Sequence, residues 1–444
     1  MKRSPIYTLV LGLTVAAAAC NGTEPRDPEP NPIVSDNCSD PNKPGCVVAS
    51  SKARISKPSV PTSDQAALVT GNSTFALDLY KQIKDKPGNM FYSPFSISMA
   101  LAMTWAGART DTETAMASTL HFTLPQDKLH PAFNWLDQEL ESRGQGASGA
   151  DGQGFRLNVV NALWGQVGYG FEAPFLDTLA VNYGAGMHVV DFWNDPDGSA
   201  DIINSWVKKS TEDKIPELVP VEAITPETVL ILTNAIYFNA AWKEPFKVED
   251  TKDGNFEKFD GSTITVPMMS GYRETAYGAG AGYQAVELPY DGDELSMLIV
   301  LPDAGELANF EASLDTAKLD SVVASMSEHM VDIKMPKFKI DYELGLKKTL
   351  EAMGMAIAFQ SGPADFTGIN AEGRPYIQDV LHKAFVGVNE AGTEAAAATA
   401  VIIGDESAPP PAAITLDRPF LFMIRDNPTG SLLFVGRVGD PTPK

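Results

Sequence analysis

The chain has 444 residues, with 57 acidic against 34 basic side chains and a formal net charge of −23. That balance excludes a nucleic-acid partner, because phosphate binding needs a positive surface, and it disfavours anionic polysaccharide and anionic lipid surfaces. Hydrophobic residues at 44% supply enough apolar side chain for a substantial core.

Lys2 and Arg3 put positive charge at the N-terminus, and an apolar stretch from Ile6 to Ala19 follows. The stretch is too short to span a bilayer and ends in Ala17-Ala18-Ala19-Cys20, an end that suits a signal peptidase. It resembles a bacterial lipoprotein signal, with residues 1–19 removed and Cys20 lipidated, although Ala17 stands where such signals usually carry Leu. Ordinary secretion is the alternative. Lipidation would tether the protein to a membrane without a spanning helix. Asn21 replaces the aspartate that some bacteria use for inner-membrane retention, which favours the outer membrane and the cell surface.

Cys38 and Cys46 sit eight apart, with Pro41, Pro44 and Gly45 between them favouring turns. An exported compartment permits a disulfide there; two free thiols are the other reading. No cysteine follows Cys46, so thiol catalysis and Cys-based zinc sites are excluded from the remainder. Residues 20–64 are rich in Pro, Ser, Asn and Asp, lack apolar periodicity and read as a tether.

The globular domain is expected over 65–444. Ala66, Ala67, Phe75, Ala76, Leu79, Tyr80 and Ile83 recur at helical spacing until Pro87-Gly88. Met90-Phe91-Tyr92 reads as a short strand. Ser93-Pro94 then caps a helix that is apolar nearly all round from Ile97 to Ala108 and should be buried. Further helices are expected at 111–120, 126–142, 172–182 and 199–213. A Gly-rich mobile loop is expected over 144–154. Strands are expected at 157–164, 229–239, 285–290, 295–301, 330–339, 386–389 and 420–438. The strand at 229–239 is apolar at nearly every position, as a central strand covered on both faces must be. Together these elements predict an α+β domain.

One stretch breaks the pattern. Val386 to Ile403 begins as a strand and becomes a run of small residues, and Gly404 to Pro411 continues with open-loop chemistry and a stiff proline end. A helix and an Ala-rich linker are the plain readings of such a composition. The flanking blocks point elsewhere. Glu390-Ala391-Gly392-Thr393-Glu394-Ala395-Ala396-Ala397-Ala398-Thr399 resembles the hinge of inhibitory serpins. Ile414 to Ile424 resembles the signature that follows the serpin reactive loop, Asn89 to Ile97 the family's N-terminal block, and Thr233 to Trp242 its central-strand block. Val286 to Tyr290 and His382-Lys383-Ala384 fit as well, and the blocks stand in family order over about 70–442.

The resemblance implies a serpin fold with three β-sheets, about eight or nine helices and an exposed reactive-centre loop. It implies inhibition of serine proteases by a suicide mechanism, in which the cut loop inserts into the large sheet and distorts the acylated target. An inserting strand alternates faces, so its inward set here is Thr393, Ala395, Ala397, Thr399, Val401 and Ile403; none is charged and the first four are small. Glu394 starts the outward set. Gly392 suits the turn where the strand peels in. Ala391 departs from the family, which often has a second charged residue there.

Family spacing sixteen residues after Glu390 places the scissile bond at Glu406–Ser407, with Asp405 as runner-up for the residue that donates the carbonyl. The bait is acidic in either case, which suits a glutamate-selective or elastase-like protease better than a trypsin-like one. Ser93, Ser96, Asn234 and His382 match the family's shutter, a polar cluster beneath the opening of the sheet. Trp242 matches the breach above it, and Lys337 with Glu390 a salt bridge beside that breach. The competing reading is a non-inhibitory carrier on the same fold.

The remaining motifs carry no chemistry. The five histidines form no i, i+4 metal pair, and no Gly-x-Ser-x-Gly elbow occurs. Gly278, Gly280 and Gly282 lack the spacing and strand–helix setting of a dinucleotide site. Residues 126–143, where some serpins place a heparin-binding helix, carry four acids against Lys128 and Arg143. The expectation is therefore a monomer that needs no cofactor, binds no heparin and has a serine protease as its partner.

Overall fold

Helices and strands alternate along the chain in two hydrogen-bonded ladders covered by helices, as seen in the computed structural model, which describes residues 43–393 and 412–442. The helices are α1 (Thr62–Ile83), α2 (Pro94–Trp105), α3 (Thr110–Thr119), α4 (Gln126–Glu141), α5 (Ala173–Tyr183), α6 (Pro196–Ser210), α7 (Leu307–Ser313), α8 (Thr316–Ala324) and α9 (Lys347–Leu350). The strands are β1 (Val47–Val48), β2 (Met90–Tyr92), β3 (Arg156–Gln166), β4 (Met187–Val190), β5 (Leu230–Ala241), β6 (Lys252–Glu257), β7 (Thr263–Gly280) and β8 (Tyr283–Pro289). They continue with β9 (Leu295–Pro302), β10 (Ser327–Pro336), β11 (Phe338–Gly345), β12 (Asp379–Val388), β13 (Gly392–Thr393), β14 (Ala412–Thr415), β15 (Phe420–Asp426) and β16 (Leu432–Val438).

The seven-stranded sheet has the order β1-β4-β3-β5-β13-β12-β11, and the nine-stranded one runs β14-β10-β7-β8-β9-β15-β16-β2, with β6 on β7. Three sheets were expected. They join as two ladders because β7, at 18 residues, pairs with β6 over its first part, β10 over its middle and β8 at its end. The resulting arrangement is α+β, as expected, with helices covering the two ladders.

Local chemistry explains the main elements. Ser93 caps α2, its hydroxyl accepting from the Ser96 amide at 3.2 Å, and Pro94 sits in the first turn, where a missing N–H costs nothing. All twelve residues of α2 are buried, because the helix lies behind β3, β5 and β16. β5 is buried at every position but its last, as its near-continuous apolar sequence requires.

Three expectations change. The strand expected at 330–339 is two strands in different sheets. Pro336 ends β10 because proline has no N–H for the ladder, and Phe338 begins β11 after the Lys337 turn. The Gly-rich segment expected as a mobile loop is folded over the top of β5: the Ala241 amide donates to the Ser148 carbonyl at 3.0 Å and the Ala150 amide to the Asn239 side chain at 2.7 Å. Residues 43–60, inside the expected tether, pack on the body. Val47 and Val48 add strand β1 to the edge of the seven-stranded sheet, and Arg54 reaches Asn134, Asp137 and Glu141 on α4. Low apolar periodicity hid this contact, since a two-residue edge strand leaves no periodic signal.

Cys46 is buried and disulfide-bonded. Cys20 and Cys38 lie outside the described residues. No helix among the described residues is long and apolar enough to cross a membrane.

Candidate functional site

The seven-stranded sheet is open at its centre. β5 and β12 run parallel and pair from Ile231–Asp379 up to Tyr237–Phe385. Above that level they part, and β13 enters between them. Gly392 and Thr393 pair antiparallel with Ala241 and Ala240, while Thr393 pairs with Val388 on the other side. The start of the predicted hinge is thus already a strand in the sheet.

The entry point is tightly built. Thr393 is fully buried and its hydroxyl meets the Tyr290 hydroxyl at 2.8 Å. The Tyr290 ring stacks on Trp242 at 4.7 Å and 10°. Trp242 donates its indole N–H to the Asn389 carbonyl at 3.0 Å and its amide to the Ala391 carbonyl at 2.9 Å. Gly392 has φ +155, and a Cβ there would lie 2.2 Å from the Ala240 carbonyl oxygen, so this position admits no side chain.

Glu390 lies just before the turn and is buried. Its carboxylate accepts from the Thr251 hydroxyl at 2.8 Å and from the Lys337 ammonium at 3.1 Å. Burial opposes its charge, but its own amide, Thr251 and Lys337 together hold the carboxyl below the usual range.

A polar row crosses the sheet lower down, one residue per strand. Asn161 of β3 faces Asn234 of β5, which faces His382 of β12. The Ser93 backbone amide donates to His382 Nε2 at 3.2 Å, so Nε2 is an acceptor and Nδ1 carries the proton it donates to the Asn234 side-chain oxygen. Asn234 Nδ2 donates to Ser96 Oγ at 2.5 Å and to Asn161, and Ser96 Oγ donates on to Asn161 Oδ1 at 2.9 Å. Burial pushes the His382 imidazole down to about 3, which keeps it neutral. Ser93 and His382 meet through the backbone amide, and the Ser93 hydroxyl is occupied as a helix cap; the pair is not arranged as nucleophile and base.

The structure therefore brings Ser93, Ser96, Asn234 and His382 into one network, and Trp242, Lys337, Glu390, Gly392 and Thr393 into another above it. Glu394, Ala395, Ala397, Thr399, Asp405, Glu406 and Ser407 lie outside the described residues. The chain is described again from Ala412, where β14 pairs parallel with β10 at the edge of the other ladder. Sequence reasoning missed Asn161, Thr251 and Tyr290 as members of the site. Tyr290 stood inside a quoted block, but nothing in its spacing told of a partner 103 residues away.

The family model described as Serpin (serine protease inhibitor) matches residues 70–441. An uncharacterized serpin-like protein of Thermococcus kodakarensis is 35% identical over 97% of this chain and 98% of its own. Leukocyte elastase inhibitor A of Mus musculus is 37% identical over 84% of this chain and 99% of its own. The native-state crystal structure of the thermophilic serpin tengpin superposes with a TM-score of 0.77 at 28% identity, covering 88% of this chain and 97% of that one.

Proposed function

The chain belongs to the serpin family, and from that premise we propose that it traps serine proteases covalently by loop cleavage and insertion into the seven-stranded sheet. The observation that carries this reading is Thr393 seated between β5 and β12 above a slot that the following residues match. On insertion, the same register continued down both strands would bring Ala395 between Phe238 and Val386, and Ala397 between Ile236 and Ala384. These four neighbours are buried, so the inward side chains must be small and uncharged. Inserted in that register, Thr399 would come level with Asn234 and His382, which face each other now, and its hydroxyl would take the place of their direct hydrogen bond.

In this mechanism the target's serine attacks the Glu406 carbonyl, the Glu406–Ser407 bond breaks, and the new amine leaves on Ser407. The acyl-enzyme is then carried with residues 393–403 as they insert, and its active site is distorted before water releases it. The acidic bait and the similarity to a leukocyte elastase inhibitor support an elastase-like or glutamate-selective target. The apolar stretch ending at Cys20 supports export, with the protein held at the cell surface by lipid or released, and the acidic α4 supports function without heparin.

The test mixes purified protein with elastase-like and glutamate-specific proteases. A denaturant-stable complex on a gel, with cleavage at Glu406–Ser407, is the expected result. Cleavage without complex by every protease tried would overturn the reading in favour of a carrier on the same fold.

A further inference from the structure

A cavity of about 430 Å³ opens beside the hinge, between the first residues of β7, the upper ends of β11 and β12, and the C-terminal residues Pro441 and Thr442. Its size falls in the range of small-molecule sites. Val266, Phe338, Phe385 and Val388 give it apolar walls, and all four are buried. Its polar character is unlike the rest of the chain. In a protein of net charge −23, the lining holds Lys337 and Lys339 and no Asp or Glu.

The two ammonium groups differ. Lys337 is held by Glu390 at 3.1 Å. Among the described residues Lys339 makes no ion pair; its ammonium lies 5.0 Å from the centre of the Phe385 ring, over its face. A cation over an aromatic wall, beside a second cation, fits an anionic group attached to an apolar body. Gly387 leaves part of the space empty. A Cβ there would meet only the Phe385 ring, at ordinary contact distances of 3.9 and 4.0 Å.

The geometry points to a binding site for a small amphipathic monoanion, a carboxylate or sulfonate on an apolar chain or ring, whose charge lies between Lys337 and Lys339. The ligand competes with Glu390 for Lys337. Binding is therefore linked to the seat of the hinge, and this linkage rests on the role given to the hinge above.

The experiment titrates the uncleaved full chain with 8-anilinonaphthalene-1-sulfonate, followed by fluorescence, without any protease. One saturable site is expected, displaced by decanoate and not by decanamide, which has the same chain without the charge. Lys339→Glu should weaken the dye at least about tenfold, roughly the effect of reversing one partner of a close charge pair. Gly387→Leu should abolish binding by filling the cavity. Lys348→Glu, the same charge change on an exposed residue elsewhere, should leave it intact. Glu390→Gln frees Lys337 and should tighten binding several-fold. Dye binding that ignores both Lys339→Glu and Gly387→Leu, or equal displacement by the amide, would overturn the site. Unchanged affinity in Glu390→Gln would overturn its link to the hinge. None of these readouts depends on inhibition, so the site can fail while the inhibitory reading stands, and the reverse.

Discussion

His382 donates to Asn234 across the parallel β5–β12 pair, below the level at which Thr393 enters between the two strands. The pair closes the sheet beneath the gap, and its chemistry requires a neutral imidazole. His382 is held near 3, and the buried His130 and half-buried His188 near 4, all by desolvation. In the unfolded chain all three titrate near the ordinary value of about 6.5.

These folded values lie below the unfolded one, so the unfolded chain binds more protons between them. The stability they contribute is present above about pH 6.5 and is lost as pH falls toward 4 and below, by up to about 1.4 kcal/mol per pH unit for each such histidine. The thermal midpoint of the loop-intact protein should fall from pH 7 to pH 5. His382→Gln should flatten that dependence, and an unchanged slope would exclude His382 as a contributor.

Thr393→Arg should convert inhibitor into substrate. Thr393 is fully buried between two strands, and an unpaired guanidinium there carries a large desolvation cost. The stable complex should fall at least about tenfold while cleavage continues, and Thr393→Ser, which keeps the hydroxyl for Tyr290, should retain the complex.

Gly392→Ala should loosen the hinge. The added methyl meets the Ala240 carbonyl at 2.2 Å in a backbone conformation that L-residues avoid, at a cost of about 1–3 kcal/mol. Faster hydrogen exchange at the Trp242 amide, which donates to the Ala391 carbonyl, is the measurement.

Arg54→Ala should release the N-terminal segment from the body. Arg54 ties this segment to Asn134, Asp137 and Glu141, and burial raises the Asp137 carboxyl to about 6 even with Arg54 beside it. Removing the cation leaves that carboxylate poorly paired, so a loss of about 1–3 kcal/mol is expected in the unfolding midpoint. Protease nicking within residues 43–60 should rise in parallel.

The strand start at Gly392 and Thr393 was legible from the resemblance of residues 390–399 to a known hinge block and from a glycine at the turn where the strand peels in. The buried helix α2 was legible from its cap and its unbroken apolar run. The 18-residue β7 was not: Pro267 and three glycines interrupt its alternation, and its sides serve three different partners. Helices α7 and α8 are seven and nine residues long, too short to establish a strong period.

Sequence by itself determined the family blocks, the order of the main elements and the chemical character of the loop. It did so because local pattern and spacing carry that information. Tertiary structure alone decided that Thr393 is already seated between β5 and β12, that Asn161 completes the row with Asn234 and His382, and that Lys337 and Lys339 line one cavity. Those facts depend on which strands lie side by side and in what register, and no local stretch of chain encodes its neighbour across a sheet.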